Sequence, residues 1–175
     1  EDRAIKLGGT AELKLGAKPR FEAVLSARQI DIDRALLTAD APQRTPVALL
    51  RSMTDTLSEL TRPSIPTKIG IGIDAATLGG ATLIGLHGDI RAEAGAWSVD
   101  TLEFRAPGAT QVRASGSLKL AAGSTEFAGP ASIDSADPKT LIAWLEGRLD
   151  APRATIGALR VRGDVTLGAQ RLAIE

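Results

Sequence analysis

ATLIGLHGDIRAE, residues Ala81–Glu93, alternates in register: Ile84, Leu86, Gly88, Ile90 and Ala92 are apolar or small, while His87, Asp89, Arg91 and Glu93 are polar. A period of two puts successive side chains on opposite faces of a strand, so this segment reads as a β-strand with one face buried. The pattern recurs on both sides of it. Val112, Ala114, Gly116, Leu118 and Leu120 alternate with Gln111, Arg113, Ser115, Ser117 and Lys119, and Leu159, Val161, Gly163, Val165 and Leu167 alternate with Arg160, Arg162, Asp164 and Thr166. Gly79-Gly80, Gly95, Pro107-Gly108 and Gly123 fall between the runs at hairpin spacing. The sequence therefore predicts a mainly β protein, a twisted antiparallel meander from Thr67 to Asp134 with about eight or more strands in all. Trp97–Phe104 slips phase, since Trp97 and Val99 are odd while Leu102 and Phe104 are even. A β-bulge near Asp100 or Thr101 would restore a common face, and a strand that simply ends there is the alternative.

Helices interrupt the strands. Thr45-Pro46 and Asp137-Pro138 each place a capping residue before a proline at the first helical position. Val47, Leu50, Met53, Leu57 and Leu60 then follow at helical spacing, predicting a helix over Pro46–Leu60, and Leu141 to Leu145 predict one over Pro138–Glu146 with Trp144 buried. A shorter helical turn is expected from Asp31 or Asp33, before Leu36 and Leu37. Phe21, Ser26 and Asp31 recur as Phe127, Ser132 and Asp137 at a constant offset of 106, and GTAELKL from Gly9 is echoed by GSLKL from Gly116 and GDVTL from Gly163. These echoes suggest repeat units over about 9–62 and 116–150, with a third beginning at 163–175, in an elongated sheet that neighbouring repeats extend.

Composition narrows the function. The 175 residues carry 21 basic and 21 acidic side chains, 43% hydrophobic residues and 3% aromatics, with one His, no Cys and no Tyr. The balance argues against a nucleic-acid partner, which needs a basic surface, and the absence of Cys removes thiolate metal sites and thiol nucleophiles. His87 lies on the polar phase of its strand without a second His, and no cofactor motif is present; Gly70-Ile-Gly72 continues as a strand rather than into a phosphate-binding helix. Asp31, Asp33, Asp134 and Asp137 stand before helical segments and read as caps rather than paired catalytic carboxylates. Arg148, Arg153, Arg160 and Arg162 form a loose basic group on expected strand edges. The chain is read as a non-enzymatic segment of a longer protein.

RFEAVLSA (Arg20–Ala27) before IDIDR (Ile30–Arg34), the meander from Leu78-Gly-Gly80 through Gly95-Ala-Trp97 to Arg105-Ala-Pro-Gly108, and Phe127-x-Gly129 before Ser132-x-Asp134 and Trp144-Leu145 together resemble the AsmA family of bacterial envelope proteins. The resemblance spans nearly the whole chain, is carried by the order of the motifs, and lies with the family's C-terminal, AsmA-like part and its TamB-like relatives. It implies a periplasmic location in a protein anchored to the inner membrane by a helix outside this segment. It also implies β-sheets curled into an apolar groove and a role in phospholipid transport or outer-membrane assembly. The residue pattern is compatible: Ile69, Ile71, Ile73, Ile84, Leu86, Ile90, Val112, Leu118, Leu120, Val161 and Val165 share the expected inner face, with Gly and Ala between them. A helix about 10 Å wide covers roughly two or three strands spaced about 4.8 Å apart, so a wide apolar face needs another cover. Ile71, Ile84, Leu86, Val112 and Leu118 are the expected contacts to lipid acyl chains, with the remaining repeats of the parent protein as further partners. A sealed core in a structural or protein-interaction module is the alternative.

Overall fold

The computed structural model describes residues 6–36, 45, 46, 48, 64–121, 124–148, 157–167 and 172–174. Nine strands form one open, curved sheet in chain order: β1 (Gly8–Lys14), β2 (Arg20–Asp31), β3 (Thr67–Leu78), β4 (Ala81–Glu93), β5 (Ala96–Ala106), β6 (Thr110–Ala121), β7 (Ser124–Ser135), β8 (Leu159–Leu167) and β9 (Leu172–Ile174). Every neighbouring pair is antiparallel except β2 and β3, which run parallel with Phe21 opposite Thr67 and Asp31 opposite Thr77. The antiparallel meander thus holds from β3 onward and is corrected at this one junction. A parallel pair needs a long crossover. The chain leaves β2 at Asp31, turns through helix α1 (Ile32–Leu36), and starts β3 back at the Phe21 end.

The echoed segments around Phe21 and Phe127 fall on β2–α1 and on β7 with helix α2 (Pro138–Leu145). Their continuations differ, because β7 is followed by an antiparallel strand, with Ser135 opposite Leu159.

Two tight turns shape the meander. Gly79 and Gly80, and likewise Ala94 and Gly95, all have positive φ, between 51° and 78°. Positive φ at both central residues defines the hairpin turn whose twist matches the strands it joins. The bulge expected near Asp100 and Thr101 is present, as a register shift between Val99 and Leu102 on the β5–β6 ladder. A second change of phase escaped the alternation. Gly85 sits at φ 63° inside β4, so Leu86 remains on the apolar face while Ile84 turns to the other side, opposite Arg105 and 53% exposed. Only Gly adopts such a backbone freely in mid-strand. The same step appears on β2 and β3, where the buried phase passes from Ala23 to Ile30 and from Ile73 to Ala76.

One end of the sheet is tied together. Ile30, Ile73, Ala76, Leu78, Leu83 and Ala106 pack with Leu141 and Trp144 of α2 into the core, and Trp144 Nε1–H donates to the Leu78 carbonyl at 2.9 Å. Leu145 is half-buried beside them. Asp31 caps α1 by accepting the Arg34 N–H at 2.9 Å, as its position suggested. Asp33 does something else: its carboxylate accepts both turn amides, Gly79 N–H at 2.7 Å and Gly80 N–H at 2.8 Å. Pro46 is fully buried against Gly79, where a Cβ would overlap its ring. Of the expected helix Pro46–Leu60, only Pro46 and Ala48 fall among the described residues. Both are helical, and Ala48 N–H donates to Thr45 Oγ1 at 3.3 Å, the bond an N-cap makes.

Asp134 and Asp137 depart from their capping roles. Asp134 pairs with Arg160 across β7 and β8 at 2.7 Å, and Asp137 makes no side-chain bond to the backbone of α2. Instead Thr140 Oγ1 donates to Asp137 Oδ2 at 2.6 Å, while Asp137 N–H donates to the Gly108 carbonyl at 2.9 Å. That hydroxyl, helped by the charge of Lys139 and opposed by burial, holds the Asp137 carboxyl below its ordinary value of 3.8.

Trp144→Ala removes both the largest side chain of this end and the bond to Leu78. It is expected to cost about 3–5 kcal/mol in urea denaturation followed by circular dichroism. A folded-state pKa below the unfolded one adds stability that is present above the unfolded value and fades as pH falls through the folded value. Thr140→Val should therefore lose its stability deficit in acid, the wild-type and variant stabilities converging as the pH falls below the ordinary carboxyl range.

Candidate apolar sheet face

The inward phase of the sheet carries aliphatic and small side chains arranged in rows across the strands. One ridge consists of Phe104, Val112, Ile133 and Val161, each opposite the next on β5, β6, β7 and β8. A second ridge is Trp97, Leu118 and Phe127 on β5, β6 and β7. Between them the row from Leu102 continues as Ala114, Ala131 and Gly163, and the neighbouring row carries Gly116 and Gly129. The ridges stand about 20 Å apart along β6, and the small residues floor a trench across β6, β7 and β8, about 10 Å wide, with Leu102 at its β5 end.

Local chemistry explains the floor. Pro130 has no N–H to give, and the β6–β7 ladder lapses between the pairs Ala114–Ala131 and Ser117–Ala128. There the two strands close on each other. A Cβ on Gly116 would overlap the Ala128 carbonyl oxygen, and one on Gly129 would overlap that of Ser115, so neither position accepts a side chain. All residues of both ridges are half-buried, in contrast to the fully buried end under α2. The Trp97 Nε1 atom is enclosed without a hydrogen-bond partner among the described residues.

Four of the five expected contact residues lie on this face. Val112 and Leu118 stand on the two ridges, and Ile71 and Leu86 lie beside them on β3 and β4, packed at the border of the core. Ile84 does not belong there, for the reason of backbone phase at Gly85 given above. The alternation put Ala114, Gly116 and Gly163 on the apolar phase; Gly129 and Ala131 were not assigned to it, although their small size at inward phase was the signal that could have found them. It also passed over Phe104, Phe127 and Ile133 as wall residues.

The opposite face is charged and carries two open hollows of about 650 and 750 Å³. The first, at the β5 bulge, is walled by Thr101, Glu103, Arg113, Ser132 and Arg162; the second lies over Gly72 and Gly85 with Arg28, Asp74 and His87. Charges on this face largely answer one another: Arg113 to Glu103, Arg91 to Asp100, and His87 to Asp89 at 3.3 Å. Of the basic group, Arg160 is engaged by Asp134 and Arg148 by Glu146, while Arg153 lies outside the described residues. Self-paired, exposed charges give little preference for a ligand of either sign. The apolar face is the more selective surface.

The chain is thus an open, curved, mainly antiparallel sheet with one apolar and one charged face. No family model, curated protein or solved structure matches it. No helix among the described residues is long and apolar enough to cross a membrane.

The floor yields a graded prediction. Gly129→Ala forces a methyl into the Ser115 backbone and should destabilise by about 1–3 kcal/mol, whereas Gly88→Ala, whose Cβ would meet Leu102 at an ordinary 3.8 Å, should stay within about 0.5 kcal/mol of wild type. Thermal melts of the two variants side by side check it.

Proposed function

We propose that this chain is the lipid-handling sheet of an AsmA-like envelope protein, in the periplasmic part of a molecule anchored to the inner membrane elsewhere. In this reading the trench between the Phe104–Val161 and Trp97–Phe127 ridges receives an acyl chain during phospholipid transport or outer-membrane assembly. The observation that carries the reading is the trench itself: a floor of glycines and alanines, between aliphatic and aromatic walls, on a face where α2 packs at one end only. Contact with hydrocarbon is favourable there by roughly 0.8 kcal/mol for each methylene removed from water. The walls are aliphatic and aromatic, and in this reading recognition falls on the acyl portion of the lipid. The reading assigns no catalytic step to the chain.

Ala131→Leu adds a branched side chain to the floor and displaces at least two methylenes, which corresponds to a loss of more than tenfold in acyl affinity. Binding of a fluorescent fatty-acyl phospholipid, measured by anisotropy, should fall by that factor while the circular dichroism spectrum is unchanged. A wild-type chain that does not bind the probe, or an Ala131→Leu chain that binds it equally well, overturns the reading.

A further inference from the structure

The second ridge of the trench begins, on β5, with a side chain that differs from the rest of both walls. The other ridge residues are pure hydrocarbon, whereas Trp97 adds an indole N–H. That donor is enclosed and, among the described residues, has no hydrogen-bond partner. Its neighbours on the same face offer none: Ala92 stands opposite it on β4, Leu118 opposite it on β6, and Val99 two residues along β5. Ser98, next in the chain, lies on the charged face, where its hydroxyl is directed to the Arg91 carbonyl and to Asp100.

The other indole of the chain shows the usual arrangement, Trp144 Nε1–H donating to the Leu78 carbonyl at 2.9 Å. Buried polar groups in folded proteins are nearly always satisfied, because an unmade hydrogen bond leaves the full desolvation cost of the group. Trp97 keeps a donor in reserve beside an apolar trench.

The chemistry that can use this donor is narrow. The partner is an acceptor, and a neutral one. A carboxylate on this face would meet no cation, since Arg91, Arg105, Arg113, Lys119 and Arg160 all alternate to the opposite face, and an unpaired charge there is costly. The acceptor is also joined to hydrocarbon that fits between the ridges. An acyl ester combines these properties, with a carbonyl at the head of a methylene chain. The Trp97 ring is half-buried while Nε1 is enclosed. A turn of the ring about its terminal torsion, which is broad for a bond between sp³ and sp² atoms, brings the N–H to the ridge surface.

We propose that Trp97 is a specificity-determining residue of the trench, its Nε1–H donating to the ester carbonyl of a bound acyl chain whose methylenes run over the floor from Ala114 to Gly163. The inference rests on the lipid-handling reading above and adds to it the place of the ester head, at the β5 end. It divides esters from ethers. A site with a donor to satisfy rejects an analogue that lacks the acceptor, and a dialkyl lipid supplies the same hydrocarbon without the carbonyl.

Competition against the fluorescent phospholipid tests it, using diheptanoyl phosphatidylcholine and its diheptyl ether counterpart, both below their micellar concentrations. The whole chain is expected to bind the ester tighter by about fivefold or more. Trp97→Phe keeps a ring on the ridge and removes the N–H; it should bring the ester-to-ether ratio to within about twofold, whatever it does to the two affinities together. In a proton–nitrogen correlation spectrum the Trp97 indole signal, identified by its loss in Trp97→Phe, should move downfield with the ester and not with the ether. Should the variant not fold, the wild-type ratio decides. Equal affinity for the two lipids, a ratio that survives in Trp97→Phe, or an indole signal indifferent to the ester overturns the assignment of Trp97 and leaves the trench as the lipid site. A chain that binds neither lipid overturns the lipid-handling reading, and this inference with it.

Discussion

The hydrogen bond from Trp144 Nε1 to the Leu78 carbonyl holds the place where, among the described residues, a helix packs onto this sheet as a second layer. Leu78 is the last residue of β3, beside the Gly79-Gly80 turn, and Trp144 reaches it from α2, 66 residues further along the chain. Around this bond the loops lock in sequence. Asp33 takes both amides of the turn, Pro46 fills the space that a side chain at Gly79 would need, and Gly108 comes so close to Asp137 that it too excludes a Cβ. Thr110 Oγ1 and Ser135 Oγ lie 2.7 Å apart, both fully buried, at the starts and ends of β6 and β7. Polar groups enclosed in this way are satisfied by specific partners, which fixes the geometry of the end in a way that hydrophobic contact alone does not.

Away from that end the inward face is composed differently. A packed core places large side chains against large ones, and buried glycines are uncommon there because they fill no volume. Here Gly116, Gly129 and Gly163 with Ala114 and Ala131 occupy inward positions on three successive strands, while the larger residues are drawn off into ridges on either side. The two strands approach so closely at Gly116 and Gly129 that the gap is a backbone property, not a matter of side-chain choice. Such a surface fills little volume and makes a poor core.

The single parallel pair has effects well beyond its two strands. It sets the direction of β1 relative to everything after it. Without it β1 and β8 would run in opposite directions. A long crossover between β2 and β3 is an expensive way to connect neighbours in entropy.

The sequence by itself determined the strands, the hairpin turns, the bulge at Asp100–Thr101, the helix from Pro138 and the burial of Trp144, because period-two alternation, Gly pairs and proline-initiated caps are local signals whose physics acts within a few residues. Four of the five face residues followed from the same alternation. Ile84 did not, since a positive φ at Gly85 reverses the phase without changing the spelling of the pattern. The parallel pairing of β2 with β3, the clamp of Asp33 on a turn 46 residues away, and the closure of Gly116 on Gly129 were decided only by tertiary structure. Each depends on which segments meet across long stretches of chain, and neither strand direction nor backbone proximity is written in the order of apolar and polar residues.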